Sequence, residues 1–345
     1  MDRDPQRARE LLAGFAARTG LVGERPQKRY LWTDAFAVCT YLGLGDVAMA
    51  RRLVDRVHHV LGRHRDDDAR AGWISGLAEA DGEAHPTVGG LRIGKPLPER
   101  PAGEPLDDQL EWERDGQYFH YLTKWLHALA QLARATGEPR YALWARELAA
   151  TAHRAFVAGG RMSWKRSIDL SRAQVPSMGH HDPLDGYVTA LELGLPVIAA
   201  DYRAMIDPHT LATGDALGIG GLLFDAYRLA QLDRDHALRE ALVEAARVGL
   251  AHLATHGELR RPAEHRLAFR ELGLSLGLAA APMLDLARYA ALRDRIEEFW
   301  LVDAHRHTRA YREHEDIDDV TLAASLAPSG LLVLAQPAST RSTST

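Results

Sequence analysis

Residues 115–156 read DGQYFHYLTKWLHALAQLARATGEPRYALWARELAATAHRAF and predict two helices joined by a short turn. Apolar residues in the first half recur at spacings of three and four, as along one face of a helix; they are Phe119, Leu122, Leu126, Leu129 and Leu132. Asp115 is the predicted cap of the first helix. Gly137 is typical of a helix end and Pro139 of the first turn of the next helix. The stretch therefore predicts an αα-hairpin.

The same pattern recurs along the rest of the chain. A hairpin is predicted over residues 36–61, with Thr33 and Asp46 as helix caps. Further predicted helix starts lie at Asp182, Asp215, about Leu267 and near Ile317, and an N-terminal helix over about residues 6–18 supplies the last outer partner. Because alternating apolar residues are nearly absent, we expect an all-α protein. Six stacked hairpins predict an (α/α)6 barrel over residues 1–336, followed by a Ser/Thr-rich disordered tail at 337–345.

Polar clusters occupy the predicted starts of the inner helices. They are Trp32-Thr33-Asp34, Asp115 to His120, His180 to Asp185, Thr213 to Asp215, Phe269 to Glu271, and Glu313 to Asp316. If the inner helices begin at one mouth of a barrel, these clusters converge there. The clusters at Asp215 and Arg270 need only capping or packing, whereas the other four combine acids, histidines and aromatic rings. Two long connections, residues 64–114 and 159–181, are predicted binding loops at this mouth.

Composition excludes several classes of protein. The chain has 345 residues and a formal charge of -5, and its 42 basic residues form no footprint for nucleic acid. No apolar run is long enough to predict a membrane span, and no leader peptide is recognisable, so we expect a cytoplasmic protein. Its oligomeric state cannot be read from the sequence. The single cysteine, Cys39, excludes an intramolecular disulfide and a zinc site built from several cysteines.

Two further motifs invite a functional interpretation that the pattern does not favour. The pair His305 and His307 superficially matches a metal-binding HxH motif, but that motif belongs to a β-strand, so we predict neither a metal nor a cofactor. The run Gly218-Ile219-Gly220-Gly221 follows no strand, so it predicts close helix packing instead of phosphate binding.

Four motifs resemble those of a family of bacterial proteins of unassigned function: RYLWTDAF at 29–36, DGQYFHYLTKW at 115–125, PSMGHHDPLDG at 176–186, and residues 313–322. More distantly, the layout is similar to that of six-hairpin toroid sugar enzymes, such as unsaturated glucuronyl hydrolases and N-acylglucosamine 2-epimerases. This resemblance implies six inner helices with a sugar site at one mouth. It transfers no catalytic residue position by position.

The leading hypothesis is a glycoside hydrolase acting on a small carbohydrate, with Asp115 and Asp185 as the acid/base pair. The expected sugar-stacking residues are Trp32, Trp112 and Trp164, and the expected polar contacts are His120, His181 and Lys124. Arg92 and Lys95 are candidates to meet a carboxylate or phosphate. The remaining predicted binding residues are Asp34, Trp73, Gln117, His180, Asp182, Glu313 and Asp316.

Two alternatives remain open. A sugar epimerase or isomerase would use His181 and His314 as opposed proton-transfer groups. A non-catalytic carbohydrate-binding or scaffolding toroid would need the acids only as helix caps.

Overall fold

The computed structural model describes residues 1–335, so the predicted tail lies outside the described residues. Six inner helices surround the axis: α2 (Leu31–Gly43), α6 (Phe119–Thr136), α8 (Asp182–Glu192), α10 (Ala216–Leu232), α12 (Ala268–Leu278) and α16 (Glu315–Leu326). Six outer helices pack against them in the same order: α3 (Val47–Leu61), α7 (Pro139–Phe156), α9 (Pro196–Arg203), α11 (His236–His256), α13 (Ala290–Leu301) and α1 (Pro5–Arg18). Each inner helix also contacts the next, and α16 contacts α2, so the ring closes. The predicted all-α (α/α)6 barrel is confirmed, including α1 as the outer partner of α16.

Shorter elements fill the connections. The short helices are α4 (Glu79–Ala84), α5 (Asp108–Glu113), α14 (Asp303–Arg306), α15 (Arg309–Glu313) and α17 (Ser329–Leu332). The strands are β1 (Gln117–Tyr118), β2 (Val157–Ala158), β3 (Arg161–Met162), β4 (Lys165–Arg166) and β5 (Ala173–Val175). Strand β4 pairs antiparallel with β1 and β5, and β2 pairs with β3. The small sheet β1–β4–β5 therefore ties the second long connection to the start of α6.

The six inner helices begin at one mouth, because side chains at their starts contact each other around the ring. The bridging contacts are Tyr30 to Tyr121 (2.5 Å), His120 to Asp182 (4.0 Å), His181 to Leu211 (2.9 Å), Arg270 to Asp215 (2.5 Å), Phe269 to Asp318 (2.8 Å) and Lys28 to Asp316 (2.9 Å). The polar clusters of the sequence therefore converge, as predicted.

Helix starts differ from the prediction at two positions, Thr33 and Asp115. Asp46 and Asp215 do cap α3 and α10, by accepting hydrogen bonds from the amides of Met49 and Gly218. Thr33, however, lies inside α2, which begins at Leu31. The prediction for Asp115 was also wrong, since α6 begins four residues later, after β1. Helix α8 begins at Asp182, as predicted, and the Asp182 carboxylate accepts from the amide of Gly179, which precedes the helix.

The core lies between the two rings of helices and includes fully buried Trp125 and Cys39. Helices α10 and α12 approach at glycines, since a Cβ on Gly220 would lie 2.3 Å from the carbonyl oxygen of Gly273. This contact confirms that the glycine run in α10 serves close helix packing. Within residues 1–335, no helix combines the length and apolar character needed to cross a membrane.

Candidate active site

A stack of aromatic rings forms one wall of the mouth. The ring of Trp164 lies 4.8 Å from that of Tyr118 and 5.4 Å from that of Trp112, and both pairs are close to parallel. On the barrel side, the imidazole of His120 lies parallel to the Tyr118 ring at 5.6 Å. Trp112 is 48% exposed, so the stack runs from solvent toward the axis. A stepped surface of flat rings suits the CH faces of sugars.

The long connections hold this aromatic wall in place. Pairing of β1 with β4 sets Tyr118 opposite Lys165, and the amide of Phe119 donates to the carbonyl of Trp164 (3.3 Å). The fully buried Lys165 ammonium donates to the carbonyls of Glu111 and Arg114 (2.8 Å each), which flank Trp112. The rings are thus fixed by backbone hydrogen bonds on both sides.

A cation and two phenols lie beside the wall. The Lys95 ammonium is 5.5 Å from the ring centre of Tyr30 and 5.6 Å from that of Trp112. Burial lowers the pKa of Lys95, although nearby Glu113 acts in the opposite direction. The hydroxyls of Tyr30 and Tyr121 share a hydrogen bond that joins the residue preceding α2 to α6.

The wall leads down to two carboxylates on the first turn of α8. Asp182 and Asp185 are three residues apart and so share one face of the helix. The Lys124 ammonium donates to Asp185 at 2.8 Å, and His120 Nδ1 lies 4.0 Å from Asp182. Both carboxylates are buried, and Asp185 retains the larger exposure of the two. A helix N-terminus favours negative charge at such positions.

Different surroundings separate these two carboxyls in acidity. Burial, reinforced by the charge of Asp185, raises the pKa of Asp182 to about 8. Burial also acts against ionisation of Asp185, but the charge and hydrogen bond of Lys124 outweigh it and lower the pKa. Burial lowers the pKa of His120 to about 4, so its imidazole is neutral at pH 7. Opposite pKa shifts of two neighbouring carboxyls are typical of the acid and base of an active site.

A buried polar network continues beneath Asp185. Asp225 on α10 hydrogen-bonds to Asp185 and accepts from Arg228 at 3.0 Å. Arg228 also donates to Glu192, which contacts His127 at 2.8 Å. All four side chains below Asp185 are at most 7% exposed. The network therefore supports the site without itself reaching solvent.

Three predicted site residues near the first long connection are structural. Asp115 is completely buried and bound by Arg92 (2.6 Å), Arg65 (3.4 Å) and the backbone amide of Gly94 (3.0 Å). Arg92 is occupied by this contact and by two backbone carbonyls. Gln117, also fully buried, bonds to the backbone at Gly89, Leu91 and Ile168. Because its charge is neutralised and enclosed, Asp115 does not join Asp185 as the expected acid/base partner.

Three further predicted residues are packed in the protein. Trp32 is 4% exposed and stacks on Phe36 at 3.9 Å, so its faces are covered. Asp34 is buried against Arg29 at 3.2 Å. Trp73 is 3% exposed and packs against Arg63, whose guanidinium is 4.3 Å from the ring centre. None of the three offers a surface to a sugar.

The remaining predicted residues lie on other parts of the rim. His181 Nε2 donates to the carbonyl of Leu211 (2.9 Å), and His180 is exposed beside it. His314 is exposed against Phe269, with 6.0 Å between ring centres. Glu313 pairs with Arg309 at the surface, and Asp316 pairs with Arg18 and Lys28. The structure records no contact between His181 and His314 within residues 1–335. His181 directly precedes Asp182 and lies within electrostatic reach of Asp185 and Lys124, whereas His314 lies against Phe269 on another part of the rim.

Several residues of the site are not among those that the sequence predicts. Tyr118 and Tyr121 lie on either side of the predicted site residue His120, in one short motif. Tyr30 lies two residues before the predicted site residue Trp32. Asp225 was missed although it is an acid inside the apolar run Gly221 to Ala226, where a charge is costly unless paired. An isolated acid in an apolar run is the sequence feature from which Asp225 could have been predicted.

Comparisons with known proteins support the architecture only. No protein-family model matches the chain, and no curated protein matches its sequence. Among solved structures, a GH76 α-mannanase from Bacteroides thetaiotaomicron is similar over 94% of this chain and 95% of its own, with a TM-score of 0.57 and 10% sequence identity. The two chains share the (α/α)6 fold, and at this identity the likeness extends no further.

Proposed function

We propose that this protein is a glycoside hydrolase, with Asp182 as the proton donor and Asp185 as the base or nucleophile. The observation that carries the proposal is the aromatic wall of Trp112, Trp164, Tyr118 and His120, which ends at these two carboxyls. The similarity in fold to an α-mannanase agrees with a carbohydrate substrate. Asp182 replaces Asp115 in the expected pair, because Asp115 is enclosed by arginines.

The proposed reaction breaks the bond between the anomeric carbon and the glycosidic oxygen. Asp182, which retains its proton at neutral pH, transfers it to the departing oxygen. Asp185 either accepts a proton from the water that attacks the anomeric carbon, or attacks that carbon itself to form a glycosyl ester, which water then hydrolyses with the Asp182 carboxylate as base. Lys124 keeps Asp185 ionised for this role. Trp112 and Trp164 hold the sugar against the wall by stacking.

The test begins with a screen of mannose-, glucose- and uronate-containing oligosaccharides for newly released reducing ends. On any substrate found, Asp182→Asn and Asp185→Asn should each lower kcat by about 100-fold or more. Glu313→Gln is the matched control, since this exposed rim acid pairs only with Arg309 among the described contacts. Unchanged kcat in both Asn variants would contradict the assignment.

Two other outcomes would replace the hydrolase with another function. Binding of a sugar without turnover would favour a carbohydrate-binding toroid. Uptake of solvent deuterium into an unchanged or epimerised sugar would favour the epimerase, and His181→Gln and His314→Gln would then abolish the exchange.

A further inference from the structure

We propose that Asp185 and Asp225 form a carboxyl pair that shares one proton, and that Asp225 thereby positions Asp185 for the reaction. This inference rests on the proposed function for its role and on buried geometry for its existence. Asp225 lies on α10, in the wall that faces α8, and is 1% exposed. It is beyond direct reach of a substrate, so it acts through Asp185.

The pair is defined by its hydrogen bonds. Asp185 and Asp225 contact each other through their carboxyl groups, and two carboxylates can make such a contact only if one carries a proton. Each also has its own cation: Lys124 Nζ is 2.8 Å from Asp185, and Arg228 Nη1 is 3.0 Å from Asp225. Each carboxyl of the pair is therefore hydrogen-bonded to a cation as well as to the other carboxyl.

The cation below Asp225 is itself immobilised. Arg228 is 1% exposed, and its second nitrogen donates to Glu192 and to the hydroxyl of Thr189 at 3.1 Å. Glu192 is held in turn by Arg134 (2.6 Å) and His127 (2.8 Å). Asp225 therefore has little freedom to turn away from Asp185.

The charged groups that act on Asp225 come from three helices: Asp185 on α8, Lys124 on α6 and Arg228 on α10. Helix α12, which also packs on α10, presents the backbone of Gly273 and Gly277 at its closest approach. Burial and the charge of Asp185 raise the pKa of Asp225 to about 7, against the effect of Lys124 and Arg228. The shared proton therefore belongs to the neutral range, and the two ionisations are those of a pair.

The pair explains how a carboxylate next to a second carboxyl keeps a low pKa. A protonated Asp225 donates to Asp185 and stabilises its charged form. When the shared proton is lost at higher pH, two like charges face each other and Asp185 is displaced from its position. A scaffold needs no such arrangement, because well-packed apolar side chains serve a barrel interior at least as well.

The experiment is a pH titration of the protein labelled with 13C at the aspartate carboxyls, followed by NMR. Asp185→Asn and Asp182→Asn variants assign the signals. In the wild type, the Asp185 signal should show two linked steps, the upper one near the pKa of Asp225. In Asp225→Asn, whose amide still donates to Asp185, the upper step should vanish while Tm stays within a few degrees.

Asp233→Asn is the matched control, because Asp233 is an exposed acid at the end of the same helix. It should leave both Asp185 steps unchanged.

An Asp185 titration that is identical in wild type and Asp225→Asn would overturn the pair. If no carbohydrate is turned over by a protein in which the linked steps are present, the pair stands and the proposed hydrolase fails. On an identified substrate, Asp225→Asn should move the alkaline limb of the pH profile of kcat to higher pH. Asp225→Leu should lower kcat about tenfold or more with little change in KM.

Discussion

Lys124 and Asp185 join the second turn of α6 to the first turn of α8, with 2.8 Å between ammonium and carboxylate. This ion pair is largely buried, so water screens it little. It is the contact that ties the carboxylate of the proposed site to the helix carrying His120 and Tyr121.

Lys124→Met should raise the pKa of Asp185, because burial then acts without an opposing cation. A charge-assisted hydrogen bond contributes about 1.5–3 kcal/mol, so kcat/KM near neutral pH should fall roughly 10- to 100-fold. The acid limb of the pH profile of kcat/KM should move to higher pH. Lys124→Arg restores the charge and should recover part of the rate. An acid limb at the wild-type position in Lys124→Met would contradict this role.

Trp112→Ala should weaken carbohydrate binding while leaving stability nearly unchanged. The ring is 48% exposed and forms the outer end of the aromatic wall, so little packing is lost. We expect the Kd to rise about fivefold, as for the loss of an aromatic contact worth about 1 kcal/mol. Calorimetry measures the Kd, and Leu110→Ala on the same helix is the control, since Leu110 is 37% exposed. Equal effects of both variants would argue against stacking at Trp112.

Asp115→Asn should cost stability instead of catalysis. The variant leaves Arg92 and Arg65 without their shared buried carboxylate, and breaking such a pair costs about 3–5 kcal/mol. Urea unfolding gives the free energy. Asp67→Asn removes an exposed partner of the same Arg65 and should cost less than about 1 kcal/mol. A stable Asp115→Asn protein with greatly reduced kcat would reinstate Asp115 as a catalytic residue.

The raised pKa of Asp182 also makes stability depend on pH. The folded state holds this proton up to about pH 8, whereas the unfolded chain releases it near the ordinary aspartate pKa of 3.8. Between these values the folded state binds more protons, so the free energy of unfolding falls as pH rises. Asp182→Asn removes this contribution and should give a flatter profile from pH 4 to pH 8. Urea unfolding at several pH values measures the difference, and parallel profiles would show that Asp182 has an ordinary pKa.

Adjacent glycines in α10 provide a test of the close helix contact. A methyl group at Gly220 would meet the backbone of Gly273, so Gly220→Ala should destabilise the protein by about 1–3 kcal/mol. Gly221 has open space at the same point, and Gly221→Ala should be neutral or stabilise by up to about 1 kcal/mol through helix propensity. Thermal unfolding compares the two, and similar Tm values would contradict the packing interpretation.

Most of the fold could be predicted because its signals are local. The apolar spacing from Phe119 to Leu132, the helix end at Gly137 and the start at Pro139 each depend on neighbouring residues only. The small sheet could not be predicted, since β1, β4 and β5 are two or three residues long and pair across distant parts of the chain. This pairing moved the start of α6 away from Asp115.

The site was predicted in part for the same reason. The sequence alone determined that acids, histidines and aromatic rings meet at one mouth, because each lies at a helix start and all inner helices begin together. Only the tertiary structure decided which of these side chains are accessible and which are enclosed. Asp115 and Asp185 look alike as acids near helix starts, yet Asp115 meets two arginines from the long connection that precedes it and Asp185 meets Lys124 and Asp225. Burial and charge pairing depend on neighbours brought together by folding, and the order of residues along the chain does not specify them.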